Sequence, residues 1–224
     1  RGIDTLEGWR TFTTIIERTS GSVLWLVAFA HYAWELLDWI GKGDHVFRAV
    51  VHLAPWSEAE IGDLLERRNA ISGLEIVYDD LLVDDVRDGN DAARILTTAR
   101  DYNRLVWDYA EGSPRVALHV WGRSLVPDGP GRARVRLFRN PNEDVLEKLS
   151  EPARFVLAST VWHERLSLEE VSLTLGLARD TCADAFARLT ENDVAEIEAG
   201  YLRVTPRWWP VVIRYLRRKH LIET

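Results

Sequence analysis

The residues best suited to chemistry in this chain stand at Gly112-Ser113-Pro114-Arg115. A glycine lets the backbone turn ahead of a helix, and a proline presets the φ of the first helical turn. A guanidinium then projects beside amides that have no intrahelical acceptor. Its rigid, bidentate donors, together with the partial positive charge of a helix N-terminus, suit a phosphate group. The plain alternative is a surface arginine. An arginine is mildly unfavourable at that end of a helix, so its placement gives the phosphate reading its weight.

Other constellations fall short of their chemistry. Gly41-Lys42-Gly43 lacks the upstream glycine and the following hydroxyl of a phosphate-binding loop, and no acidic magnesium-binding motif follows an apolar strand. Taking Asp84 as the first ligand of a calcium loop puts Val86 and Ile95 where oxygen ligands belong, so Asp79 to Asp91 reads as a solvated acidic loop. The six histidines do not fall at metal-ligand spacing. Gly122-Arg123-Ser124-Leu125-Val126 lacks the second glycine of a nucleophile elbow and follows a helix. Cys182, the one cysteine, has no partner for a disulfide or a zinc site and reads as a small core residue.

The elements that must position Arg115 follow from periodicity. Leu6, Trp9, Phe12, Ile15 and Ile16 predict a first amphipathic helix. Val23 to Ala30 and Phe47 to Leu53 are apolar runs of the kind found in strands buried on both faces, and Trp34, Leu37 and Ile40 mark a helix between them. Ser57 with Glu60 is a capping box opening a helix stabilised by Ile61, Leu64 and Leu65. Further helices are expected near Ala92 to Tyr109 and from Pro114 to Leu125, followed by a linker at Val126 to Gly131 and an exposed strand at Arg132 to Phe138. From Asn142 the order is a helix, a short helix capped by Ser167 and Glu170, a third helix closing at Asn192, and a hairpin from Val194 to Val204.

Composition bounds the class. The 224 residues are 46% hydrophobic and 28% charged, ordinary for a globular protein. The net charge of -7 argues against a general nucleic-acid coat protein. With a single cysteine a reducing compartment fits best, and a cytoplasmic location is expected. Val23 to Trp34 is too short to span a bilayer, which takes roughly 20 residues. The chain starts at Arg1 and contains no methionine, so it is expected to be a portion of a longer protein.

Two segments carry a resemblance. Val50-Val51-His52-Leu53-Ala54-Pro55-Trp56-Ser57-Glu58-Ala59-Glu60, running on to Arg67-Arg68, resembles the passage from the last core strand into the lid of replication-initiator AAA+ and STAND-type ATPases. Glu111-Gly112-Ser113-Pro114-Arg115-Val116-Ala117-Leu118 resembles their sensor 2 segment, whose arginine reaches the nucleotide phosphates. The resemblance implies a mainly α chain with a partial α/β P-loop ATPase core over residues 1–55 and a helical lid over 56–126. A linker over 127–141 and a winged helix-turn-helix domain over 142–224 would follow. It also implies a polar sensor 1 residue at the end of Val23 to Ala30. Phe29-Ala30 occupies that end and only His31 beyond it is polar, so His31 joins Gly112, Pro114 and Arg115 as the nucleotide-binding set. ATP or ADP binding is expected only with the missing N-terminal core. Hydrolysis by this chain alone is not expected, because nothing binds the β- and γ-phosphates or magnesium.

The partner expected for such a chain is a protein, or the remainder of its own ATPase core. DNA is the alternative, through a winged helix that reads a groove. From Leu146 onward Lys and Arg number 11 against 12 Asp and Glu, and the candidate recognition helix offsets Arg179 and Arg188 with Asp180, Asp184 and Glu191. Phosphate contacts supply most non-specific DNA affinity, so this balance favours protein docking or autoinhibition over groove reading. The densest basic run, Arg214, Arg217, Arg218, Lys219 and His220, is either a solvated helix face or a phosphate-contacting one. Trp208-Trp209-Pro210 either docks the last helix or forms part of a partner surface; the other tryptophans in apolar stripes read as core.

Overall fold

The computed structural model describes residues 2–41, 46–78, 81–82, 95–96 and 99–222. It is mainly helical with small sheets. The acidic stretch considered for calcium lies almost entirely outside the described residues, as does Lys42-Gly43. The chain divides into two compact units. The terminal unit joins Arg1–His52 with Glu143–Thr224, and the middle unit is Leu53–Asn142.

The terminal unit opens with α1 (Gly2–Thr19) and α2 (His31–Gly41). The two apolar runs expected as core strands are not strands: Val23–Ala30 and Phe47–Leu53 carry no ladder. Exposure along the first still alternates. Trp25, Val27 and Phe29 are half-buried, whereas Leu24 and Leu26 are 94% and 97% exposed. Period-2 sidedness is therefore present, but a strand also needs a neighbour for its backbone N–H and C=O groups. No described residue supplies one. Aromatic packing organises this region instead, Phe29 lying 5.9 Å from Trp9, 5.5 Å from Trp34 and 6.1 Å from Phe47 between ring centroids.

The middle unit contains α3 (Glu58–Ser72), β1 (Glu75–Val77), β2 (Leu81–Leu82), β3 (Ile95–Leu96), α4 (Ala99–Ala110), α5 (Pro114–Ser124), β4 (Leu125–Pro127) and β5 (Arg132–Val135). The Ser57 capping box forms as its sequence requires, Ser57 accepting from the Glu60 amide while the Glu60 carboxylate accepts from the Ser57 amide. Those bonds hold the Glu60 carboxyl below the usual carboxylate range. Ile61, Leu65, Tyr102, Val106, Val116 and Ala117 close the helical core. Val126 to Gly131, expected as a linker, is instead the turn of a β4–β5 hairpin, and β5 also pairs parallel with β1. Gly129 and Gly131 take φ of 97° and 71°, which turn chemistry alone would suggest; the flanking ladder is what makes the turn a hairpin.

The terminal unit resumes with α6 (Asp144–Glu147), α7 (Glu151–His163), β6 (Leu166–Ser167), α8 (Leu168–Leu175), α9 (Arg179–Glu191), β7 (Ala195–Glu198), β8 (Tyr201–Val204) and α10 (Trp209–Arg218). Ser150 and Ser167 cap α7 and α8, the latter with Glu170 completing a box, and Gly176 ends α8 at φ 65°. Ala199 and Gly200, both at positive φ, turn the chain between β7 and β8 as a two-residue hairpin requires. The antiparallel sheet has the order β6-β8-β7. Leu157, Val171, Cys182, Leu189, Leu202 and Leu216 fill one apolar core beneath it, and burial pushes the Cys182 thiol pKa up.

Candidate functional site

The Trp56 backbone N–H donates to the Gly112 carbonyl at 2.9 Å, and the Trp107 indole N–H donates to the Trp56 carbonyl at 2.9 Å. Trp56 directly precedes Ser57, the cap of α3, and Gly112 directly precedes Ser113, the cap of α5. This one hydrogen-bonded contact therefore sets the starts of two long helices side by side. Gly112 is buried at φ 73°, and a Cβ there would lie 2.6 Å from the Trp56 carbonyl oxygen and 2.7 Å from the Pro55 Cβ. Only glycine fits both the backbone angle and the space.

Ser113 accepts from the Val116 amide, Pro114 occupies the first turn, and Arg115 follows it, exposed. The first turn of α5 holds no acidic side chain, whereas that of α3 holds Glu58 and Glu60. The amide end of α5 carries a partial positive charge, and the Arg115 guanidinium stands in its first turn. Gly112, Pro114 and Arg115 sit together as the sequence suggested. His31, the fourth residue of that set, begins α2 in the terminal unit, exposed, with its Nε2 2.9 Å from the Glu35 carboxylate.

The residues considered for nucleic-acid or partner contact are largely engaged within the chain. Arg179 pairs with Glu169 at 2.7 Å. Arg217 donates to the Tyr32 hydroxyl at 3.1 Å. Arg218 lies 2.6 Å from both Glu143 and Glu147, and Lys219 lies 2.8 Å from Glu147. Hydrogen bonds from Lys219 and then Arg218 hold the Glu147 carboxyl below its usual range, and Glu143 and Glu147 hold Arg218 more firmly protonated. Arg188 and Arg214 are exposed, on α9 and α10. Trp208 is 5% exposed within the apolar core, which removes it as a ready partner surface, and Trp209 is half-buried against the same core. Of the two readings of this tryptophan pair, docking of the last helix describes Trp208.

Sequence reasoning missed three features. Trp107 gave no signal for its bond to Trp56, a residue 51 positions away. Tyr32 gave none for its burial among residues beyond 145. Arg165, Glu198, Ala199, Tyr201 and Arg203 line a concavity of about 350 Å³, with the Arg165 guanidinium 5.0 Å from the Tyr201 ring centroid and Arg203 3.0 Å from Glu198. Glu198 and Tyr201 are paired in register across β7 and β8, and Arg203 follows Tyr201 by two positions, so these side chains share one face of the sheet.

No family model, curated protein or solved structure matches this chain. No helix among the described residues is long and apolar enough to cross a membrane.

Proposed function

We propose that the chain is the rear part of an AAA+ or STAND-type ATPase, in which the middle unit is a lid that senses nucleotide. The observation that carries this is the Trp56–Gly112 contact. Trp56 and Gly112, which belong to the two segments that resemble the strand-to-lid passage and sensor 2, are 56 positions apart, yet they meet through a backbone bond. That bond supports Arg115 as a phosphate contact at the amide end of α5.

In this reading the helices α7, α8 and α9 with the β6-β8-β7 sheet are a winged helix-turn-helix domain, and it docks a protein or restrains its own core. The intramolecular ion pairs of Arg179, Arg218 and Lys219 favour that role over DNA contact, because a paired cation releases fewer counterions on meeting a phosphate backbone. ATP or ADP is held only when the full core is present, and this chain alone does not hydrolyse it. Nucleotide titration of the full-length protein, wild type against Arg115→Ala, is the test.

A further inference from the structure

Tyr32 is placed unlike any of its neighbours in sequence. It lies on α2, is 7% exposed, and belongs to an apolar core whose other described members all lie between Leu146 and Ile222. Its ring stands 6.2 Å from Trp162 of α7, edge to face, and 6.3 Å from Trp209 of α10. Its hydroxyl accepts from the Arg217 guanidinium at 3.1 Å. A slot built from two indoles and a guanidinium recognises a phenol by shape and by hydrogen bond together.

The rest of the segment before residue 53 is weakly held. Among its described side chains, Ile16 and Tyr32 alone are buried, and the aromatic rings of Trp9, Phe12, Trp25, Phe29, Trp34 and Phe47 are only half-buried. The slot is also imperfect: the Arg217 Nε is buried with no hydrogen-bond partner. A buried donor left unsatisfied when the tyrosine is docked raises the energy of that state, and segments with few buried contacts open at the low end of the stability range.

We infer that Tyr32 is a releasable latch, an aromatic plug that fastens α2 to the slot formed by Trp162, Trp209 and Arg217. Docked, it fixes α2 against α7 and α10. Undocked, it leaves those helices folded on their own core and frees α2 to move. A ligand that binds the N-terminal segment better in one of these positions shifts the equilibrium by its difference in affinity for the two. The latch links α2 to α10 without any need for a nucleotide, so it stands or falls separately from the ATPase reading.

Hydrogen exchange of the whole chain, read by mass spectrometry on wild type, Tyr32→Phe and Tyr32→Ala, tests it. Tyr32→Phe keeps the ring and removes the acceptor, and α2 amides should exchange about ten-fold faster. Tyr32→Ala also removes the ring, and they should exchange more than about a hundred-fold faster. In both variants the amides of α7 and α9 keep wild-type protection. Loss of protection in α2, α7 and α9 together would make Tyr32 an ordinary residue of one cooperative core and overturn the latch. Unchanged protection of α2 in Tyr32→Ala would overturn it equally.

Discussion

Gly112 accepts a backbone hydrogen bond from Trp56 at 2.9 Å, and its missing side chain is what allows the approach. Two helix starts are thereby fixed to each other by one residue type. The arrangement puts Arg115 on a defined turn rather than on a free loop.

Gly112→Ala should therefore destabilise the middle unit. The substitution places a Cβ 2.6 Å from the Trp56 carbonyl oxygen and forces a side chain onto a φ of 73°. Left-handed backbone and local overpacking together cost about 2–4 kcal/mol. Denaturant unfolding followed by tryptophan fluorescence measures this, and a variant as stable as wild type would sink the steric argument.

Ser167→Ala should lower stability by about 1 kcal/mol, because the serine side chain satisfies an amide of α8 that has no helical partner. Ser167→Asp should recover most of that loss, since a carboxylate accepts the same bond and suits the helix N-terminus. Thermal melting of the three proteins decides it; equal melting temperatures for serine and alanine would remove the cap from the account.

Burial holds the His163 pKa below the ordinary histidine value, and the nearby Glu170 charge only partly opposes this. The neutral ring is thus preferred in the folded state. Above about pH 6.5 it is neutral whether folded or not, and its contribution to stability is constant. As pH falls below that value the unfolded chain takes up the proton first, so stability drops until the folded pKa is passed. His163→Asn should flatten this part of a stability-against-pH curve, and an identical slope in the variant would contradict the assignment.

Duplex DNA should bind weakly, with no nanomolar specific complex at physiological salt. Arg217, Arg218 and Lys219 are engaged by Tyr32, Glu143 and Glu147, and Arg179 by Glu169. Titration of the chain against random and enriched duplexes by fluorescence anisotropy checks this. A tight complex lost on mutating Arg179 or Arg188 would restore the groove-reading alternative.

What the sequence showed correctly was local. The capping boxes at Ser57 and Ser167, the stop at Gly176 and the Ala199-Gly200 turn are each written within four residues, and each forms. What it did not show depends on partners elsewhere in the chain. Val23 to Ala30 has a strand's alternation, but a ladder needs a neighbour that no nearby residue can announce. Val126 to Gly131 has the composition of a linker or of a turn, and only the β1–β5–β4 pairing separates them. The turn at Gly112, Pro114 and Arg115, proposed to meet a nucleotide, was legible as a helix start because one short stretch of sequence contains it. Trp56 and Trp107, which brace that turn, were not, because each acts across more than 50 residues.

The central claim is that Arg115 meets a nucleotide phosphate when the lid closes on a complete core. Equilibrium ATP titration of the full-length protein, wild type against Arg115→Ala, tests it most directly, with melting temperature as the control for folding. Loss of a charge-assisted hydrogen bond should weaken ATP binding about ten- to hundred-fold while the melting temperature holds. Arg115→Lys should recover only part of the affinity, because a point charge does not reproduce the bidentate fork. Equal affinities with equal melting temperatures would contradict the account and reduce Arg115 to a surface arginine.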